Sequence, residues 1–257
     1  MNTGFYSAYA AFATRLDQLE VVANNLANVN TTGFKAHRSF YGSFSAALHP
    51  ENPSPAMMTV SQAVHQAATQ FGMLGGTRLD LSQGTLEMTG NDTDAALEGP
   101  GFFAVLTPNG LRYTRDGSFH LDKDRNLITQ QGDKVLAAQP NQKLQPIQIP
   151  SGKITISPDG SLSVDGTLVA KLRIDDFPPN VKLQPEGNSY LSAPAGAGKS
   201  AATVAVRQGS LESSNSDAIR STVALIDLER TSQIMEKALS IFHNEFNRVA
   251  AQEIPHV

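Results

Sequence analysis

Apolar residues recur every three or four positions at both ends of this chain and lose that rhythm in between. Near the start, Phe5, Tyr9, Phe12, Leu16, Leu19, Ala23 and Leu26 follow alternating steps of four and three. These are the a and d positions of a heptad, which place one narrow apolar seam along a helix. Residues 2–29 contain no Pro, and no Gly after Gly4. A helix over that span would be about 40 Å long at ~1.5 Å per residue. Near the end, Leu225, Leu228, Ser232, Met235, Leu239, Phe242, Phe246 and Val249 repeat the pattern in a stretch, 216–253, free of Gly and Pro. Ser214, Asn215, Ser216 and Asp217 offer N-caps before it, and Pro255 offers a stop. Two long heptad helices, one at each end, need a partner for their seams. Pairing with each other as a coiled-coil-like axial domain is the expected solution.

From Gly84 to Gly209, Gly and Pro interrupt the sequence every few residues, and short apolar runs stand between turn signals. Gly101 to Leu106 precedes Asn109-Gly110, a hairpin dipeptide, and Leu111 to Thr114 follows it. Further strand-length runs lie at 118–121, 127–129, 134–136, 147–149, 154–157, 162–164, 168–174 and 203–206. Many short strands separated by turns predict an antiparallel β domain. The fold class is therefore mainly β with α-helical termini. The segments expected are an N-terminal helix and turn over 1–44, an extended connector over 45–83, the β domain over 84–209 and a C-terminal helix over 210–257. The connector holds His49-Pro50-Glu51-Asn52-Pro53-Ser54-Pro55 and one short candidate helix, Thr59 to Gln70.

Composition narrows the functional classes. The 257 residues include no Cys, which removes disulfides, thiolate metal sites and a thiol nucleophile. A net charge of −4 argues against a dedicated nucleic-acid binder. No apolar run approaches the ~18 residues of a membrane span. The N-terminal residues Met1 to Tyr6 lack the basic and apolar regions of a secretory signal, so export, if any, is expected without signal cleavage.

Motifs that suggest chemistry are weak. Gly196-Ala197-Gly198-Lys199-Ser200 resembles half of a phosphate loop, but position 193 is Ala where the first Gly belongs, and a strand-like run follows. Asp122 to Asn126 begins like a calcium loop, yet Leu127 and Asp133 replace its Gly and its Glu, so a polar hairpin turn is expected. The six His residues are scattered, and Asp175 and Asp176, adjacent on a strand, read as solvated surface groups. No cofactor or metal site is expected. Asn24, Asn25 and Asn28 crowd a helix end where Asn is a poor helix former. Either that end frays, or the amides bond neighbouring backbone or another subunit.

The stretch Val22 to Lys35, with Asn24-Asn25-Leu26-Ala27-Asn28 and Thr31-Thr32-Gly33-Phe34-Lys35 inside it, resembles the N-terminal signature of the bacterial flagellar rod and hook proteins. Gly84 to Asn91, Gly99 to Val105, Tyr113 to Phe119 and Gly209 to Asn215 resemble, in order, later motifs of the same family. Asp92, Thr93 and Asp94 stand where the family is more apolar. Leu16-Asp17-Gln18 and Val21 to Asn25 are closer to proximal than to distal rod members.

The resemblance implies a structural subunit of the basal-body rod, not an enzyme, exported through the flagellar type III apparatus. Its expected partners are other rod and hook-side proteins, copies of itself and the export apparatus, with neither nucleic acid nor membrane insertion. The expected assembly contacts are Phe5, Tyr9, Phe12, Leu16, Leu19, Asn24, Asn25, Leu26, Asn28, Gly33 and Phe34. From the second helix they are Leu225, Leu228, Met235, Leu239, Phe242 and Phe246. The alternatives are a distal rod or hook-type axial protein and, from other classes, a wall-cutting hydrolase or a free β-sandwich module whose helices cap its own core.

Overall fold

The computed structural model describes residues 2–42, 73–138, 144–178, 181–187, 189–194, 196–201 and 204–253. The Pro-rich segment 49–55 and the candidate helix 59–70 lie outside the described residues. The described chain divides into two compact units. One holds the long helices; the other holds nearly all the strands.

In the helical unit, α1 is Asn2–Ala27 and the C-terminal helix, α2, is Ala218–Glu253. Two strands, β1 (His37–Gly42) and β2 (Met73–Leu79), pair with each other. Asp217 caps α2: its carboxylate accepts from the backbone N–H of Ile219 at 3.0 Å and of Arg220 at 3.1 Å. The two helices pack against each other. Each presents half-buried residues in steps of three and four, which is what heptad spacing produces.

The β unit contains Leu79–Ser216 and also Asn28–Ala36. The observed division therefore falls after Ala27, within the segment expected over 1–44, and strand β2 lies within the expected connector. The unit is built from β3 (Leu86–Met88), β4 (Ala95–Glu98), β5 (Phe102–Thr107), β6 (Gly110–Thr114), β7 (His120–Leu121), β8 (Leu127–Ile128) and β9 (Lys134–Val135). It continues with β10 (Ile154–Ile156), β11 (Ser161–Val164), β12 (Thr167–Lys171), β13 (Ile174–Asp176), β14 (Gln184–Glu186), β15 (Tyr190–Ser192), β16 (Lys199–Ser200), β17 (Ala205–Gln208) and β18 (Ser210–Glu212). All the pairings with a described register are antiparallel. The largest sheet runs β14-β15-β6-β5-β9-β8-β7.

Strand β5 organises the interior. Successive side chains on a strand point to opposite faces, and here both faces are covered. Phe103 and Val105 enter one core cluster with Leu97, Phe119 and Leu162, while Phe102 enters a second with Tyr113 and Phe177. Phe103 meets Phe119 edge-on with ring centroids 5.1 Å apart, and Tyr113 meets Phe177 at 4.7 Å. The continuous run Phe102 to Leu106 thus reads as a strand buried on both sides rather than as an alternating one.

Turns follow from their residues, with one shift. The β5–β6 loop is Pro108-Asn109, and Gly110, at φ 101°, is the first residue of β6, so the hairpin closes one residue earlier than Asn109-Gly110 implied. Between β11 and β12, Asp165 (φ 49°) and Gly166 (φ 81°) both take the left-handed conformation that a two-residue hairpin requires. The expected 168–174 strand divides into β12 and β13, and the expected strand at 203–206 appears as Ala205–Gln208.

Candidate functional site: a buried ion cluster and an exposed helix face

Three charged side chains are buried together in the β unit. Glu212, on β18, is 1% exposed. One carboxylate oxygen accepts from Lys35 Nζ at 2.6 Å and from the Gly84 N–H at 2.9 Å; the other accepts from Arg115 at 3.0 Å. Lys35 also donates to the Ser82 carbonyl at 2.7 Å, and Arg115 to the Gly99 carbonyl at 2.6 Å. The Arg115 guanidinium lies over the Phe102 ring, 5.2 Å from its centroid. Two cations and one anion are thereby removed from water, a cost that only pairing and hydrogen bonding offset. Burial pulls the Lys35 ammonium below its usual pKa, Glu212 pushes back, and the neighbouring Arg115 charge adds to the lowering. Arg115 is lowered first by burial and supported by Glu212. Its Nε is buried with no hydrogen-bond partner among the described residues.

The same cluster fixes the segment that follows α1 in the chain. Gly33 N–H donates to the Glu212 carbonyl at 2.7 Å, and Ala36 N–H to the Asn215 side chain at 2.7 Å. The Asn215 amide group in turn donates to the Asp80 carbonyl at 2.8 Å and the Ser82 carbonyl at 3.0 Å. Gly33 has φ +67°, and a Cβ there would run into the backbone of Arg115 and Asp116. Only glycine allows that approach. Gly33 and Phe34, named among the expected assembly contacts, are covered by their own chain, Phe34 being 5% exposed.

The asparagine cluster resolves toward hydrogen bonding rather than fraying. Within the helical unit, Asn25 exchanges two hydrogen bonds with the backbone of His37, at 2.8 and 2.7 Å, fixing the start of β1. Asn28 is buried and accepts from the Thr31 hydroxyl at 3.1 Å, while Thr31 N–H bonds the Asn28 carbonyl at 3.1 Å. Asn24 is exposed.

On the helices, the expected seam residues divide. Phe12, Leu19 and Leu26 are half-buried, as are Leu225, Leu228, Met235 and Leu239, with Ser232 buried among them. Tyr9 and Leu16 are exposed, at 59% and 46%. The side chains of Phe5, Phe242 and Phe246 lie outside the described residues. A second apolar row on α2 was not among the expected contacts: Ile219, Val223, Ile226, Ile234 and Ile241 are 47–77% exposed. Their spacings of 4, 3, 8 and 7 keep one helical face, and Arg230 and Lys237, also exposed, complete that row. The signal was present in the sequence, since α2 carries apolar residues on two faces.

The segments weighed for chemistry are structural. Lys199–Ser200 pairs as a strand with β13 instead of opening a helix. Asp122 closes the β7–β8 turn by accepting from the Asn126 N–H at 2.8 Å and its side-chain amide at 2.8 Å. Asp175 departs from the solvated role expected of it: it is 4% exposed and accepts from Arg173 at 2.8 Å. It faces inward because Ile174 and Asp175 lie on a strand hydrogen-bonded to β5 on one side and β16 on the other. Asp94, where a more apolar residue was expected, is buried and accepts from the Thr89 hydroxyl at 2.6 Å and the Asn91 amide at 3.1 Å. The cavity beside β12 and β13 is lined by Lys171, Arg173, Asp159 and Asp175, whose charges pair with one another. Among the described residues no group of three or more His, Asp or Glu is arranged to hold a metal ion.

Comparison with known proteins adds independent observations. Residues 5–35 match the family described as flagella basal body rod protein, and residues 96–164 match the flagellar hook protein FlgE/F/G D1 domain. The chain is 31% identical to the flagellar basal-body rod protein FlgG of Borreliella burgdorferi, over 95% of this chain and 96% of the relative. It is 30% identical to the basal-body rod protein FlgF of Caulobacter vibrioides, over 93% of each chain. It is 32% identical to FlgG of Agrobacterium fabrum, over 91% of this chain and 94% of the relative.

Proposed function

Because the chain belongs to the family of flagellar basal-body rod proteins, we propose that it joins the rod through its two terminal helices. The protein is a structural subunit of the flagellar basal body, and its family assembles with other rod and hook-side proteins. The observation that carries the proposal is the pair of exposed apolar faces, Tyr9 and Leu16 on α1 and the five-residue row on α2. The half-buried residues between the helices form the coiled-coil-like seam within a subunit, and the exposed faces meet neighbouring subunits. Fully burying one large aliphatic side chain contributes about 1.5–3 kcal/mol, so burial of this row supplies a favourable term against the cost of association.

A contact made head-to-tail between copies, and not closing on itself, produces a helical tube. Self-association, export through the flagellar export apparatus and a place in the proximal rod are parts of the same reading. So is loose packing of the helices in the free subunit, because isolated helices draw most of their stability from tertiary contacts. A wall-cutting hydrolase needs two carboxylates facing one cleft. The buried carboxylates of Glu212 and Asp175 are engaged by cations of this chain and that of Asp94 by Thr89 and Asn91, and incubation with peptidoglycan is expected to release no fragments.

The decisive variant is Ile226→Asp together with Ile234→Asp. The free subunit should keep its circular dichroism spectrum and denaturation midpoint, while cells carrying it should lose motility and yield basal bodies without the subunit. Motile cells with an intact rod would refute the assignment of this face.

A further inference from the structure

We infer that Glu212 is a latch that makes docking of residues 28–36 onto the β unit conditional on the arrival of the segment just before α2. This inference rests on the rod-subunit reading for its purpose, but not for its physics.

The cluster is asymmetric in chain order. Lys35 and Arg115 precede Glu212, the carboxylate that hydrogen-bonds both of them, by 177 and 97 residues. Until Glu212 arrives, a docked segment 28–36 would bring the Lys35 ammonium next to the Arg115 guanidinium in a site where both are almost fully shielded from water. Backbone carbonyls of Ser82, Leu97 and Gly99 would be their remaining partners. Two like charges in a poorly solvated site, opposed only by the weaker pull of Asp80 on Lys35 and of Asp176 on Arg115, are strongly unfavourable. Docking also depends on residues 212–215 for backbone bonds. Gly33 N–H bonds the Glu212 carbonyl, Ala36 N–H bonds the Asn215 side chain, and Asn215 N–H bonds the Phe34 carbonyl at 3.4 Å.

The β core does not share this dependence. Phe103, Val105, Ile149 and Leu162 are fully buried by residues between 95 and 206. In a chain made from its N-terminus onward, that core can form before Glu212 appears, whereas segment 28–36 cannot be seated. The latch therefore couples the position of the residues following α1 to completion of the chain through residue 215. A truncated subunit therefore lacks a seated segment 28–36.

The test is hydrogen exchange on the full-length monomer, comparing Gly33 and Ala36 with Phe103, Val105 and Leu162. Glu212→Gln keeps the shape and removes the charge. It should accelerate exchange at 33 and 36 by about 100-fold or more while the core amides keep their protection. Adding Lys35→Met to Glu212→Gln restores the native net charge of the site and should recover most of the lost protection. Unchanged exchange at 33 and 36 in Glu212→Gln would overturn the inference. So would equal loss of protection in segment and core, or failure of the double variant to recover any, including the case in which both variants unfold. If Glu212→Gln alone fails to fold and the double variant folds with 33 and 36 protected, the latch stands. The readout involves no assembly, so its failure leaves the rod-subunit reading untouched.

Discussion

The β unit and the helical unit bury their apolar residues to different depths. In the β unit, Leu97, Phe103 and Leu162 are completely shielded from water. On α2, Ile219 and Ile234 remain 77% and 69% exposed, and the residues facing α1 are only half-covered. A strand such as β5, covered on both faces, is finished within one chain. A helix with one half-buried seam and one bare apolar row is less completely covered within one chain. On the proposed reading, the contrast separates the part of the molecule that folds alone from the part that assembles.

The contrast breaks most readily by cutting into each core. Phe103→Ala should cost about 3–5 kcal/mol, because its cavity is lined by rigid neighbours. Leu228→Ala, in the half-buried seam, should cost well under half of that. Urea denaturation of the free subunit, followed by tryptophan-free probes such as circular dichroism, measures both. Equal costs would mean that the helical unit is as complete as the β unit.

A smaller effect is expected at the ion-cluster segment. Gly33→Ala puts a methyl group against the backbone of Arg115 and Asp116 and places a side chain at φ +67°. About 2 kcal/mol of destabilisation is expected, by analogy with other forced left-handed residues. If the midpoint is unchanged, the segment is not seated in solution as it is in the structure.

The smallest effect concerns pH. Burial raises the Asp116 pKa above its ordinary value of 3.8, and the nearby Asp94 adds to the rise while bonds from Ser118 oppose it. A raised carboxyl pKa means that the folded state holds the proton more tightly than the unfolded state. The contribution is then fully present below 3.8 and is lost as pH rises through the higher folded value. Asp116→Asn removes this loss. The midpoint of the variant relative to the natural chain should therefore rise between about pH 3 and pH 7, and a pH-independent difference would show that Asp116 is not perturbed.

How far the sequence could be read depends on separation along the chain. Strand β5, its hairpin with β6 and both terminal helices were legible because each is set by residues within a few positions of one another. The Lys35–Glu212–Arg115 cluster was not. Its members sit in separate motifs, and only the closed fold brings them within hydrogen-bonding distance. Ser210 and Glu212 invert the usual pattern, turning polar side chains inward on β18 while Leu211 is less buried. The exposed row on α2 was overlooked for a different reason. Ile219, Val223 and Ile226 share the period of Leu225, Leu228 and Ser232, so one periodicity hid two faces. Asp175 was misread because a charged pair on an apparent surface strand gives no hint of Arg173 two residues earlier turning to meet it.

The β11–β12 turn has a practical consequence. Gly166 sits at its tip with nothing within 4 Å of a side chain built there. The chain contains no cysteine, so a single thiol introduced at the exposed Thr167 beside that tip, where no positive φ is required, would be the only one in the subunit. One fluorophore per copy, attached at that exposed position, would let subunits be counted as they enter a growing rod.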